Sequence, residues 1–230
     1  MGCFICAYGG YVAGCSQQNA PADAQKTAGD TTKTALAAAT QTSAAKSGVI
    51  IIGVDGRSVP LTFWDERTKQ LAGYDADLAR EAFKRAGLEY EFKGIVWGDK
   101  EKELESKHID VVWSGLTITD ERAKTFAFSS PYYKNRQAIL VRSDSPVQTK
   151  ADLKGKKIGE HKGSPSGPFI KSMEPSQHEE FLELPDLFAA VLSGKIDAAV
   201  TDGVFIDYYV LNTPGKMRVL DDNVPERGFA

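Results

Sequence analysis

Residues 109–122 read IDVVWSGLTITDER, and the change of chemistry inside this stretch decides the fold. The run Ile109–Trp113 is apolar and rich in β-branched side chains, which reads as a buried strand. Ser114 to Thr119 form a loop of small and hydroxyl residues. Thr119 then caps a short helix whose first turn carries Asp120, Glu121 and Arg122. A strand that leads through a polar loop into a helix is the repeating unit of α/β sheets. The same loop gathers backbone N–H groups, a carbonyl, hydroxyls and a guanidinium within one turn, a set suited to a small ligand that carries both a carboxylate and an ammonium.

The pattern on either side repeats this unit. Upstream, Val49–Val54 is an apolar strand, and Leu61–Trp64 with Leu71–Tyr74 bracket a polar turn as a hairpin. Asp75 is expected to cap a helix to Ala86, with Leu78, Ala82 and Ala86 on its inner face and Gly87 closing it. Tyr90–Phe92 is a strand and Lys100–Lys107 a helix, with the charges of Asp99–Glu105 forming a solvated face. Downstream, strands are predicted at Ala138–Val141, Lys157–Gly159, Phe181–Leu184, Ile196–Val200 and Met217–Leu220. Helical segments lie between them at Thr149–Leu153, Ser164–Ser172, Asp186–Ser193 and Gly203–Leu211. Two such series predict two α/β lobes, residues 48–141 and 142–221, with 222–230 starting a return to the first. Ligands of such sheets bind beyond the C-terminal ends of strands, and Ser114 and Asp202 sit at strand ends, one in each series.

Bulk composition narrows the function classes. Of the 230 residues, 42% are hydrophobic and 26% charged, enough for a real core. A net charge of -3 gives no reason to expect nucleic acid as a partner. The three cysteines, Cys3, Cys6 and Cys15, all precede the folded part, which removes a disulfide framework or a cysteine metal site from consideration. His108, His161 and His178 are too scattered for a metal site, and Asp75 with Asp77 reads as capping and solvent exposure; neither metal nor cofactor is expected.

The N-terminus reads as a targeting segment. Residues 4–14 are apolar and small and run into Val12-Ala13-Gly14-Cys15. This resembles the bacterial lipobox, in which a peptidase cuts before a cysteine whose thiol then takes a lipid. Residues 1–15 are therefore expected to be a signal peptide and Cys15 the lipidation site. No Lys or Arg precedes the apolar run, a departure from the usual signal peptide, and the run is well short of the roughly 18 residues of a membrane-spanning helix. Met1-Gly2-Cys3 opens like a myristoylation motif, but Cys6 stands where Ser or Thr is required. Residues 16–47 are mostly Ala, Thr, Gln, Ser and Lys, a disordered tether with a reach of roughly 30 Å.

Several separated segments together resemble the bacterial family 3 extracellular solute-binding proteins, the amino-acid receptors of ABC importers. They are Gly73-Tyr74-Asp75-Ala76-Asp77-Leu78, Ile109-Asp110, Ser114–Arg122, Phe128–Tyr133, Asp152–Lys156, Gly163-Ser164 and Gly194–Ala199 leading to Asp202. The resemblance runs from about Val49 to the C-terminus. It implies a two-lobed periplasmic-binding-protein-like (type II) Venus-flytrap α/β fold, with the C-terminal return segment truncated at Ala230 and the first lobe incompletely packed.

The resemblance also implies roles. Arg122 would hold a ligand carboxylate, helped by backbone N–H groups near Thr117 and Ser164. The ammonium would meet Asp202, the Gly115 carbonyl and the Thr117 hydroxyl, in the loop begun by Ser114. Asp55 would face the ligand side chain, Trp97 would stack over the ligand, and His161 would read a polar side chain, while Trp64 and Trp113 would belong to the core. Asp55 disfavours an acidic side chain, so a basic or amide side chain, Arg, Lys, His or Gln, is expected, with cystine as a further candidate. Ser58 stands where relatives carry an aromatic, and Pro165 lacks an N–H where a donor is usual. Three or four charge-assisted hydrogen bonds of about 1.5–3 kcal/mol each, partly offset by binding entropy, reach about -8 kcal/mol, a micromolar affinity. The implied partners are an amino acid, permease subunits and, through the lipid anchor, the outer face of a bacterial membrane, with the protein itself a monomer. Two rivals share the fold: a cyclohexadienyl dehydratase-like enzyme, and the ligand-sensing domain of a signalling receptor.

Overall fold

The first lobe grows from Ile50–Val54 (β1), whose alternation of large apolar side chains leaves Ile52 and Val54 fully buried. The computed structural model describes residues 48–220 and 226–230, so the signal peptide, Cys15, the tether and residues 222–225 of the return lie outside the described residues. A small antiparallel sheet follows, formed by Arg57–Ser58 (β2), Thr62–Trp64 (β3) and Leu71–Ala72 (β4), with Trp64 opposite Leu71. Tyr74–Ala86 (α1) ends at Gly87, whose left-handed φ of 65° lets its N–H turn back to the last carbonyls. Tyr90–Gly94 (β5), a short 3-10 turn at Trp97–Asp99, Lys100–Glu105 (α2) and Val111–Val112 (β6) complete the lobe. Its main sheet has the order β5-β1-β6, all parallel. One face packs on α1 through Ile52, Val54, Ala76, Ala79 and Phe83.

The second lobe is centred on Tyr133–Arg142 (β7). Lys157–His161 (β8), Gly167–Lys171 (α3), Gln177–Phe181 (β9), Leu184–Leu192 (α4), Ala198–Asp202 (β10), Gly203–Asn212 (α5) and Met217–Val219 (β11) follow. The strand order is β11-β7-β10-β8-β9, with β7 antiparallel to β10 and β10 parallel to β8. Both faces are covered, so the central strands are apolar on both sides. Ala138, Leu140 and Ala199 face a core with α4 and α5, while Ile139, Val141, Ala198, Val200 and Ile158 face a second core with Ile170 of α3. At the cleft end that second face turns polar: Gln137, Asp202 and Glu160 continue the same alternation. Finally Glu226–Phe229 (β12) pairs antiparallel with the first half of β7, and Phe229 also bridges to Thr117.

Several expectations need correction. The boundary expected after Val141 falls inside β7, which pairs along Ala138–Val141 with β10; the passage between sheets lies earlier, between β6 and β7. The edge strand β9 is Gln177–Phe181, upstream of the predicted Phe181–Leu184. Helix α1 buries Asp75, Ala76, Ala79 and Phe83 in place of Leu78, Ala82 and Ala86, and its N-cap is Gly73. Asp75 is fully buried, Trp64 is 43% exposed, and Lys100, read as part of a solvated face, is 1% exposed.

Candidate functional site

The residues singled out in the sequence fall into three connected groups between the two main sheets. The first is built on the end of β1. The Asp55 backbone N–H donates to Ser114 Oγ at 3.2 Å, and Thr62 Oγ1 donates to the Asp55 carbonyl at 2.6 Å. The Asp55 carboxylate accepts from the Arg57 amide at 3.2 Å and from the Ser58 hydroxyl. From the end of β8 in the other lobe, His161 brings Nε2 to 3.7 Å from Asp55 Oδ2. The same nitrogen donates to the Leu182 carbonyl at 3.1 Å, which fixes the tautomer. Burial pushes the His161 pKa down, opposed by the charge of Asp55.

Asp202 organises the second group. It stands at the N-terminus of α5 without capping it through its side chain. Its Oδ1 instead accepts from Asn135 Nδ2 at 2.6 Å, Gln137 Nε2 at 2.6 Å and, from the other lobe, Thr117 Oγ1 at 3.3 Å. Burial raises its pKa to about 6, opposed by the Asn135 hydrogen bond and the charge of Arg122. Asn135 and Gln137 escape a sequence reading because they look like exposed positions of a strand. The signal was their parity: they share the inward face of Ile139 and Val141.

The third group is cationic. Thr119 Oγ1 accepts the Arg122 amide N–H at 3.1 Å, but the helix expected after it is only a 3-10 turn, Arg122–Lys124, whose N-cap is Glu121 rather than Thr119. The Arg122 guanidinium donates Nη1 to the Thr117 carbonyl at 2.9 Å and Nη2 to the Gly163 carbonyl of the second lobe at 2.7 Å. Burial lowers its pKa, opposed by Glu101 and Asp202. Trp97 is buried, and its carbonyl accepts from Lys100 Nζ at 3.3 Å. A Cβ on Gly163, at φ 79°, would come within 3.1 Å of Lys100 Nζ, so only glycine makes this turn without displacing the ammonium.

Two candidates are held by further contacts within their own lobes. The Ser164 N–H donates to the His161 carbonyl at 3.0 Å, its hydroxyl donates to Glu160 Oε2 at 2.9 Å, and Ser166 Oγ lies 3.1 Å from the same hydroxyl oxygen. Ser166 in turn donates to Gln137 Oε1 at 2.5 Å, which links this loop to the Asp202 group. Burial raises the pKa of Glu160. Gly115 takes φ 65°, and its N–H donates to Asp75 Oδ2 at 2.6 Å; a Cβ there would meet Leu61 Cδ1 at 2.5 Å. Asp75 thus holds the loop from beneath, together with the Tyr132 hydroxyl at 3.0 Å.

Beside these groups lies a cavity of about 600 Å³, bordered by Arg122, Lys100, Ser164, Gln137, Thr119 and Arg227 among others. Of the nine candidates, Arg122 and Ser164 line it. Of the others, Thr117 meets Asp202 and Asp55 meets His161 across the cleft. Among the described residues no cluster of three or more His, Asp or Glu is arranged to hold a metal ion.

Comparison with known proteins agrees with this architecture. The family model of the bacterial extracellular solute-binding proteins, family 3, matches residues 50–182. The chain is 31% identical over 163 residues to the arginine-binding extracellular protein ArtP of Bacillus subtilis, covering 70% of this chain and 63% of that one. It is 30% identical over 158 residues to the L-cystine-binding protein TcyJ of Escherichia coli, covering 67% of this chain and 59% of the relative. It thus spans somewhat less than two thirds of the length of these curated relatives. The crystal structure of the arginine-, lysine-, histidine-binding protein ArtJ from Geobacillus stearothermophilus superposes with a TM-score of 0.74 at 33% identity, over 79% of this chain and 80% of that one. With the two-lobed α/β architecture, these matches place the chain in one family: it belongs to the bacterial extracellular solute-binding proteins, family 3.

Proposed function

We propose that this chain is the solute-binding component of an ABC importer, and that it takes a polar L-amino acid between its lobes. The observation that carries the reading is that opposite charges face the cleft from different lobes: Arg122, which donates to the Gly163 carbonyl, comes from one, and Asp202, which accepts from Thr117, from the other. A zwitterion supplies the complementary charges, a carboxylate for Arg122 and an ammonium for Asp202. Arg presents a planar fork that binds a carboxylate through two parallel bonds, which Lys does not. Because neither lobe alone satisfies both ends, ligand binding favours the closed arrangement, the condition for shifting a conformational equilibrium.

In this reading the ammonium also meets the Gly115 carbonyl and the Thr117 hydroxyl. The carboxylate receives help from the Ser164 loop, once that loop releases its contact with Glu160. Asp55 and His161 separate to admit the ligand side chain, and Trp97 covers it. A side chain with hydrogen-bond donors satisfies Asp55, so Arg, Lys, His or Gln is favoured, with cystine as a further candidate. Arginine and cystine are the ligands in the names of two relatives, which supports that range. The protein would act outside the cytoplasm, held to the membrane through Cys15 and delivering its ligand to permease subunits.

A thermal-shift screen of the full chain against the twenty amino acids, cystine and ornithine tests the reading. A raised melting temperature with a polar amino acid supports it. No shift with any α-amino acid removes it, and turnover of prephenate or arogenate to an aromatic product would replace it with the enzymatic alternative.

A further inference from the structure

The roles above leave one buried charge unused. The Lys100 side chain is 1% exposed, and its Nζ donates to the Trp97 carbonyl at 3.3 Å and to the Gly163 carbonyl at 3.0 Å. It also lies 4.9 Å from the centre of the Trp97 ring. Arg122 Nη2 donates to that same Gly163 carbonyl at 2.7 Å, so two cations converge on one neutral oxygen.

The charge balance around this oxygen is uneven. Burying an ammonium costs several kcal/mol unless a counter-charge meets it. The carboxylate that meets Lys100 is Glu101 at 3.1 Å, whose side chain is 42% exposed and therefore screened by water. Among the described residues, the other titratable groups that act on it are the Arg122 guanidinium and the His161 imidazole on β8, neither of them an anion. Lys100 and Arg122 both border the cavity of about 600 Å³, next to the Ser164 hydroxyl and the Gln137 amide. An anion at that border would offset the excess positive charge.

We propose that Lys100 determines specificity: with Arg122 it forms a two-cation seat for the ligand carboxylate, so the protein accepts free α-carboxylates and discriminates against their amides. The proposal rests on the amino-acid-binding reading and extends it. The two cations divide the work by shape. Arg122 offers a fixed fork to one edge of the carboxylate, while the compact ammonium of Lys100 exchanges its contact with the Gly163 carbonyl, which Arg122 also holds, for the remaining lone pairs. Burial, with the charge of Arg122, lowers the Lys100 pKa to about 8, so the seat loses one charge just above neutral pH.

The test is calorimetric titration of the full chain and its Lys100→Met and Lys100→Arg variants. The probes are L-arginine, L-histidine, L-glutamine and L-cystine, each beside its α-carboxamide, between about pH 6.5 and 9.5. Lys100→Met is expected to weaken binding of the free acid about tenfold at neutral pH, the loss of one charged hydrogen bond, and to leave the carboxamide unchanged. The ratio of wild-type to Lys100→Met affinity should fall towards one as pH passes about 8, while Lys100→Arg keeps its advantage. Titration of the ligand ammonium affects all three proteins alike and cancels in the ratio. Replacing a buried charge by an apolar side chain of similar length should not lower the melting temperature without ligand, whereas a purely structural lysine would lower it. Equal affinities of wild type and Lys100→Met, a ratio that ignores pH, or equal losses for acid and amide would each overturn the proposal while leaving amino-acid binding intact. A wild-type chain that binds none of the four acids would overturn both.

Discussion

Thr117 and Asp202, 85 residues apart, meet through a 3.3 Å hydrogen bond that joins the loop after β6 to the end of β10. Because Asp202 Oδ1 already accepts from Asn135 and Gln137, the carboxylate is held rigidly while it waits for a charge. Asp202→Asn keeps the shape and removes that charge. We expect at least about a tenfold loss of amino-acid affinity by calorimetry, the scale of a charged hydrogen bond. In the wild type, affinity should also fall as pH drops through about 6, where Asp202 takes up its proton.

Arg122 bonds to both lobes, through the Thr117 and Gly163 carbonyls. Lysine keeps the charge and loses the fork. Arg122→Lys should therefore bind amino acids about tenfold more weakly, and Arg122→Ala more weakly still. An unchanged affinity in Arg122→Ala would move the carboxylate site elsewhere.

Gly115 sits at φ 65° with Leu61 Cδ1 only 2.5 Å from where a Cβ would stand. The left-handed conformation alone costs a non-glycine residue about 1–2 kcal/mol. Gly115→Ala should lower stability in urea by at least about that amount.

Asp75 gives a pH-dependent signature. Its pKa is raised from 3.8 to about 6 by burial, with Oδ1 buried and lacking a hydrogen-bond partner. Between those values the folded chain retains a proton that the unfolded chain has lost. The stability this group contributes is therefore full below about pH 4 and is lost as pH rises through about 6. Asp75→Asn removes that dependence. The melting temperature of the variant, measured against wild type, should rise between about pH 4 and pH 7; a constant difference would mean that Asp75 does not titrate there.

Strongly apolar segments were legible in the sequence. The strand at Val49–Val54 and the polar loop at Ser114 appear where their residues point, because apolar periodicity and small hydroxyl residues have few alternative readings. The edge strand Gln177–Phe181 was not legible, since it is held by backbone pairing to β8 and carries Gln, His and two Glu. Lys100 was hidden in KEKELE, a string that reads as a solvated helix and gives no sign that its first lysine turns inward to two carbonyls. Asp75 reads as a cap because acidic residues at helix starts usually are, whereas the tertiary structure uses it to hold Gly115. Local pattern reports what an element prefers; it does not report which neighbour satisfies a buried charge.

Between the sheets, residues 133–136 of β7 run antiparallel to β12, and Asn135, opposite Arg227 in that ribbon, also donates to Asp202. One amide therefore belongs both to the ribbon that links the two sheets and to the carboxylate that we assign to the ligand ammonium. Selectivity and mechanical compliance are coupled at this residue. Under the proposed function, a substitution that retunes Asp202 for a new ligand also disturbs the ribbon through Asn135, so affinity and the rate of opening would not evolve independently there.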